Sequence, residues 1–143
     1  MSSSAGIIII GDEILSGRTK DTNINWIANE LNQMGINLKE ARVIEDDKKT
    51  IINTVLEFSK KFTYVFTSGG IGPTHDDITT ESIAAAFKVD LEKNKIAMNL
   101  LKKHYEKSNI DFNKARQKMA IIPKGASLIN NPVSVAPGLK IKN

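Results

Sequence analysis

The residues best equipped for chemistry lie in one stretch, Thr67-Ser68-Gly69-Gly70-Ile71-Gly72-Pro73-Thr74-His75-Asp76-Asp77-Ile78-Thr79. Gly69, Gly70 and Gly72 let the backbone take left-handed angles and approach a ligand with no Cβ in the way. Ser68, Thr74 and Thr79 carry hydroxyls, His75 an imidazole, and Asp76 and Asp77 adjacent carboxylates. Such groups can hold a divalent cation or handle a proton, so the loop could both bind a phosphate and act on it. It matches neither a Walker loop, since no Gly-Lys-Ser/Thr follows, nor the Gly-x-Gly-x-x-Gly dinucleotide fingerprint. Gly-Gly alone reads as a turn. Gly-Gly-x-Gly-Pro together with Asp-Asp, between a strand and a helix, points to a functional site.

The elements that must position this loop are legible on either side. Tyr64-Val65-Phe66-Thr67 is a β-branched and aromatic run that reads as a strand, and Ile83 to Phe87 has helical period. A helix placed there would present unpaired N–H groups, which suit phosphate. Upstream, Gly6 to Ile10 is a continuous aliphatic run, expected as a strand buried on both faces of a parallel sheet. It delivers Gly11-Asp12-Glu13 at its carboxyl end. Asp21-Thr22-Asn23 opens a helix with Ile24, Ile27, Leu31 and Met34 at helical spacing, ended by Gly35, and Asp21 or Thr22 is a natural N-cap. Asn37 to Ile44 reads as the second strand, ending in Glu45-Asp46-Asp47. A second helix is predicted over about Lys48 to Lys60, with Ile51, Ile52, Val55 and Leu56 as its buried stripe.

Three strands thus end in acidic pairs, Asp12/Glu13, Asp46/Asp47 and Asp76/Asp77. Any one pair alone is a helix cap or a solvated turn. In a right-handed βαβαβ unit the strand carboxyl ends share one edge, and all three pairs would gather near one crevice.

Beyond Phe87 the spacing predicts one long lysine-rich helix over Leu91 to Lys107, with Ile96, Leu100, Leu101 and Tyr105 apolar. Asn113 to Ala120 reads as a short helix and Ile121 to Gly125 as a turn. Ser127-Leu128-Ile129 and Leu139-Lys140-Ile141 read as short strands that pair antiparallel, giving a mixed sheet. His104 has no acidic or histidine partner at ligand spacing and reads as surface. The chain ends while still in an apparent strand, which suggests a C-terminal truncation.

Composition narrows the class. At 143 residues the chain suits one domain, enough to bury about 70% of the surface its extended form exposes. The absence of cysteine excludes disulfides and thiolate metal sites. No apolar run approaches the roughly 20 residues needed to span a bilayer, and Met1-Ser2-Ser3-Ser4 lacks the features of a signal peptide. A cytoplasmic protein is expected, with neither membrane nor nucleic acid as partner. The net charge of +4 comes from scattered lysines, which read as solvated helix surface and mildly favour a phosphate-bearing small ligand.

Taken together, Ile9-Ile10-Gly11-Asp12-Glu13-Ile14-Leu15-Ser16-Gly17, Asp21-Thr22-Asn23, Asp46-Asp47 and Ser68 to Thr79 resemble the molybdopterin-binding (MoaB/Mog-like) domain family. The nearest variant is the one found at the N-terminus of CinA proteins and in some FAD synthases. Lys118-Met119-Ala120, Pro123-x-Gly125-Ala126, Asn131-Pro132 and Ala136-Pro137-Gly138 extend the resemblance over nearly the whole chain. It implies a single domain over residues 1–143, an α/β three-layer αβα fold with a mostly parallel sheet and an antiparallel element, and homo-oligomers, trimers or dimers. One branch of the family binds molybdopterin and adenylylates it. The CinA-type branch resembles divalent-metal-dependent pyrophosphatases that split ADP-ribose or FAD. The Gly-Pro-Thr-His-Asp-Asp loop is similar to the second branch, whereas the Pro-Gly-Val-Pro-like loop usual in the family lies beyond this chain's end.

On that resemblance Mg²⁺, or Mn²⁺ or Co²⁺, is expected on Asp46, Asp77 and Asp12 or Glu13, with Asp76 or Asp77 as the alternative base for a water. The Gly69-Gly70-Ile71-Gly72 backbone would hold a phosphate, aided by Thr74 and Thr79, with Ser68 and Pro73 also counted among the ligand- or phosphate-binding residues. His75 would contact phosphate or support a residue that does. Gly11, Asp12, Glu13 and Asn23 would alternatively hold a ribose or pterin, and Lys118 would either contact phosphate or lie on a helix surface. The readings are therefore a nucleotide pyrophosphatase, a molybdopterin-binding or adenylyltransferase protein with molybdopterin as ligand, or a non-catalytic binding domain.

Overall fold

The computed structural model describes residues 2–142, in two compact units that meet in sequence at Gly70 and Ile71. The first unit runs β1 (Ser4–Ile10), α1 (Asp12–Leu15), α2 (Asn23–Gln33), β2 (Asn37–Ile44), α3 (Lys48–Lys61) and β3 (Tyr64–Ser68). Its three strands pair in the order β2-β1-β3, all parallel. The central strand is the aliphatic run, and Ala5 to Ile10 are all buried, as expected for a strand covered on both faces. The outer strand β2 alternates exposed and half-buried residues along most of its length.

Helix α3 closes one face through Ile51, Val55 and Phe58, with Phe58 and Ile51 fully buried. Each such side chain contributes about 1.5–3 kcal/mol of burial. A charged network crosses from β2 to α3. Arg42 meets Glu40 at 2.6 Å and Glu57 at 2.8 Å, and Lys61 meets Glu40 at 2.6 Å. The Arg42 guanidinium lies 4.8 Å from the centre of the Phe58 ring, shielding it from water. Lys61 and Arg42 hold the Glu40 carboxyl below its usual range, and Arg42 does the same to Glu57.

The second unit contains α4 (Thr79–Ala86), β4 (Leu91–Lys93), α5 (Lys95–Lys107), α6 (Lys114–Gln117), a 3₁₀ turn (Lys118–Ala120), β5 (Ile121–Pro123), β6 (Ser127–Ile129) and β7 (Gly138–Lys140). Both of its ladders are short and antiparallel, β4 with β5 and β6 with β7. The β6–β7 pairing follows the sequence reading. Two other expectations are corrected. The long helix from Leu91 begins only at Lys95, because Asn94 caps it by accepting from Ala97 N–H at 2.9 Å. Leu91–Lys93 is instead a strand, and the supposed turn at Ile121 to Pro123 is its partner. Asn94 N–H also donates to the Ala120 carbonyl at 2.8 Å, fixing that junction. Ala97, Leu101, Met119, Ala120 and Ala136 form this unit's core, with Tyr105 and Phe112 packed against it. His104 is half-buried rather than fully surface, its ring edge-on to Tyr105 with centroids 5.2 Å apart.

The chain is therefore an α/β fold combining a parallel sheet with antiparallel strands. Among the described residues, no helix is long and apolar enough to cross a membrane.

Candidate functional site

In the first unit the parallel register sets the geometry. Ile10 pairs with Ile44, and Ile9 pairs with Ser68, so the segments after all three strands leave from one edge. The chain moves from β1 to β2 and then back past β1 to β3, so the strand order reverses between β1 and β3. Open α/β sheets bind ligands at the carboxyl ends of strands beside such a switch point.

Two carboxylates are locked there. Asp12 N–H donates to Asp46 Oδ2 at 3.0 Å, and Asp46 N–H donates to Asp12 Oδ1 at 3.1 Å. Each acid thus satisfies the other's main chain across adjacent strand ends, 34 residues apart in sequence. Its neighbour Asp47 does something else. Asp47 caps α3, its Oδ2 accepting from Thr50 N–H at 2.9 Å and from Thr50 Oγ1 at 2.8 Å. Those bonds hold its carboxyl below the usual range. The Asp46-Asp47 dipeptide is therefore one strand-end acid and one helix cap.

Glu13 folds over Gly11, where a Cβ would come within 2.6 Å of its carboxylate. Asn23, the first residue of α2, donates from Nδ2 to Ser68 Oγ at 2.6 Å, tying the helix start to the end of β3. The cap of α2 is supplied by Asp21, whose Oδ2 accepts from Ile24 N–H at 3.0 Å. Gly69 has φ of +100°, and a Cβ there would lie 2.0 Å from the Ile10 carbonyl oxygen. Only glycine lets β3 turn away so close to the end of β1. Gly70 follows, also at positive φ.

The remaining loop residues belong to the second unit and form a braced turn. Asp77 Oδ2 accepts from Thr74 N–H at 2.9 Å and from Thr74 Oγ1 at 2.6 Å, and Asp77 N–H donates back to the Thr74 carbonyl at 3.2 Å. A Cβ on Gly72 would sit 2.8 Å from that same Asp77 oxygen, so Gly72 makes room for the brace. His75 and Asp76 project from the tip. The imidazole is 93% exposed, and its Nε2 lies 3.0 Å from Asp76 Oδ1.

Around this turn the structure gives Thr79 and Lys118 places other than those expected. Helix α4 begins at Thr79, at the expected end of the glycine-rich loop, so the order strand, loop, helix follows the sequence reading. Thr79 is 1% exposed, which removes its hydroxyl from direct contact with a ligand. Lys118, expected on a phosphate, donates from Nζ to the Thr74 carbonyl at 2.8 Å and to the Asp77 carbonyl at 2.6 Å. Sequence reasoning missed this bond because main-chain acceptors leave no residue-type signal. A groove of about 830 Å³ in the same unit, floored by Tyr105 and Phe112, involves none of the predicted residues.

The donor set is made of hard oxygens. Within either unit, no three acidic or histidine side chains of the described residues are grouped to hold a metal ion. A magnesium-like cation asks for less, taking one or two carboxylates and completing its shell with waters and phosphate oxygens. The Asp12/Asp46 pair fits that demand.

These features define a class, the α/β domain whose candidate site lies at the carboxyl edge of a parallel sheet. The family follows from comparison. A model described as a probable molybdopterin binding domain matches residues 6–143, and the chain belongs to that family. A CinA-like protein of Prochlorococcus marinus is 36% identical over 96% of this chain and 33% of its own length. A protein of Sulfurisphaera tokodaii is 41% identical over 96% of this chain and 52% of its own length. The chain thus spans about half the length, or less, of these curated relatives. Among solved structures, the CinA protein of Thermoplasma acidophilum superposes with a TM-score of 0.88 at 38% identity, over 96% of this chain and 80% of that one. The tungsten cofactor synthesizing protein MoaB of Pyrococcus furiosus shares the fold, with a TM-score of 0.57 at 24% identity over 92% of this chain and 76% of that one.

Proposed function

We propose that this CinA-like domain is a divalent-metal-dependent nucleotide pyrophosphatase acting on ADP-ribose or FAD. The observation that carries the reading is the Asp12/Asp46 pair, pre-positioned by reciprocal main-chain bonds at the ends of β1 and β2. A phosphoanhydride carries several negative charges, and paired carboxylates placed at a ligand edge suit a cation better than they suit bare phosphate. Asp12 and Asp46 would hold that cation, with Glu13 beside them. When bound, the cation offsets diphosphate charge and makes a coordinated water more acidic.

The protein's own part is placement. Gly69 and Gly70 bring main chain close to the ligand edge without side-chain bulk, and the Asn23–Ser68 bond fixes the start of α2. Asp77 commits Oδ2 to Thr74, so its Oδ1 is the oxygen that would orient a water, with Asp76 as the alternative base. In the reaction, water adds to one phosphorus, the bridging P–O bond breaks, and AMP leaves with ribose 5-phosphate or FMN. We further propose that the domain works as a cytoplasmic homo-oligomer on small molecules alone.

A second reading has its own support. The family description names molybdopterin, and the same edge could hold a pterin through Asn23 and the acids. AMP release from ADP-ribose and from FAD, measured with Mg²⁺, Mn²⁺ or Co²⁺ and with chelator, separates the two. Metal-dependent AMP supports the pyrophosphatase. No AMP from either substrate, together with molybdopterin binding by the folded chain, supports the binding protein.

A further inference from the structure

We infer that Lys118 is a positioning residue that holds the Thr74–Asp77 turn in place through the turn's own main chain. The two carbonyls it reaches are those of Thr74 and Asp77, the residues that close the turn, at 2.8 and 2.6 Å. They lie 44 and 41 residues before it in sequence. Charge-assisted bonds of this length are stronger than neutral ones. An ammonium has three donors, and two of them are committed here. This inference deepens the pyrophosphatase reading, because the turn it holds carries Asp76 and Asp77.

The base of the lysine is rigid. Lys118 opens the 3₁₀ turn whose next two residues, Met119 and Ala120, are buried in the core of the second unit. The Ala120 carbonyl is fixed by Asn94 N–H at 2.8 Å. The preceding residue, Gln117, donates from Nε2 to the Phe112 carbonyl at 2.9 Å. The turn it reaches is half-exposed and packs little apolar surface, with Thr74, His75 and Asp76 exposed and Asp77 half-buried. Its internal brace, Asp77 to Thr74, closes the turn on itself but does not anchor it elsewhere. Lys118 supplies that anchor. Because it grips carbonyls, it orients the loop whatever side chains the loop carries.

The test is amide hydrogen exchange at Thr74 and Asp77 in the whole chain, comparing wild type with Lys118→Met and Lys118→Arg. Lys118→Met keeps the stem and removes the donors, so both amides should exchange about tenfold faster. Lys118→Arg should restore most of the protection. Should Lys118→Met fail to fold, Lys118→Leu, which also removes every donor, is read the same way. Unchanged exchange at both amides in the donor-deleted variant would overturn the inference. Where the chain turns over ADP-ribose or FAD, Lys118→Met should lower kcat with little change in KM. A raised KM at constant kcat would make Lys118 a phosphate contact and overturn the positioning role. If the wild type releases no AMP at all, the pyrophosphatase reading fails, and the exchange result alone decides the role of Lys118.

Discussion

The two units place their chemistry by different means. In the first, a three-stranded parallel sheet carries Asp12 and Asp46 to neighbouring strand ends, and the main chain itself does the positioning. In the second, strands of three residues pair in two separate ladders, and the Thr74–Asp77 turn depends on side-chain bonds from Asp77 and Lys118. Sheet-placed groups inherit the rigidity of a buried core. Brace-placed groups keep their geometry only while each brace survives. The difference predicts that single substitutions will act on charge in the first unit and on loop order in the second.

The sharpest break of that comparison is Asp46→Asn. The amide oxygen can still accept from Asp12 N–H, so the strand ends should stay in place while the charge is lost. Metal-dependent AMP release should fall about 100-fold or more, with an unchanged melting temperature. A normal metal titration in this variant would remove Asp46 from the proposed cation site.

Gly69→Ala tests the sheet edge by geometry. Its Cβ would meet the Ile10 carbonyl at 2.0 Å with φ at +100°, so the expected cost is roughly 2–4 kcal/mol in urea unfolding. A cost near zero would mean that β3 turns away from β1 differently.

A smaller loss tests the braced unit. Asn94→Ala removes the cap that separates β4 from α5 and should cost about 1 kcal/mol. Chemical denaturation monitored by far-ultraviolet circular dichroism would measure it. A cost of zero would show the junction to be held by main-chain bonds, the β4–β5 ladder and Asn94 N–H to the Ala120 carbonyl, without the side-chain cap.

The gentlest effect concerns pH. Glu40, Glu57 and Asp47 titrate lower in the folded state than their ordinary values of 4.5, 4.5 and 3.8. A carboxylate depressed on folding stabilises the protein above its unfolded pKa and loses that contribution as pH falls through the folded one. Stability should therefore be flat near neutrality and decline below about pH 4.5. Glu40→Gln should make the decline shallower, measured as Tm against pH. Because these pairs are partly open to solvent, the difference should amount to no more than a few degrees.

Much of the first unit was legible from residue order alone. Aliphatic Ile7 to Ile10 could only be a doubly covered strand. The periods of Ile24–Leu31 and Ile51–Leu56 named their helices, and the acids fell at strand ends because strands alternate with helices there. The second unit was harder. Leu91-Glu92-Lys93 looks like the start of a helix until Asn94 is recognised as its cap, and Ile121-Ile122-Pro123 looks like a turn until its partner strand is seen.

The sequence by itself determined which residue types were available at each element boundary. It also determined the α/β alternation and the family, since these depend on local periodicity and contiguous motifs. Only the tertiary structure decided what each polar group does. It divided Asp46 from Asp47, one bonded to a residue 34 positions away and the other capping its own helix. It buried Thr79 and sent Lys118 to two main-chain carbonyls. The physical reason is common to all three. A hydrogen-bond partner is chosen by proximity in space, and a main-chain acceptor looks the same at every position in a sequence.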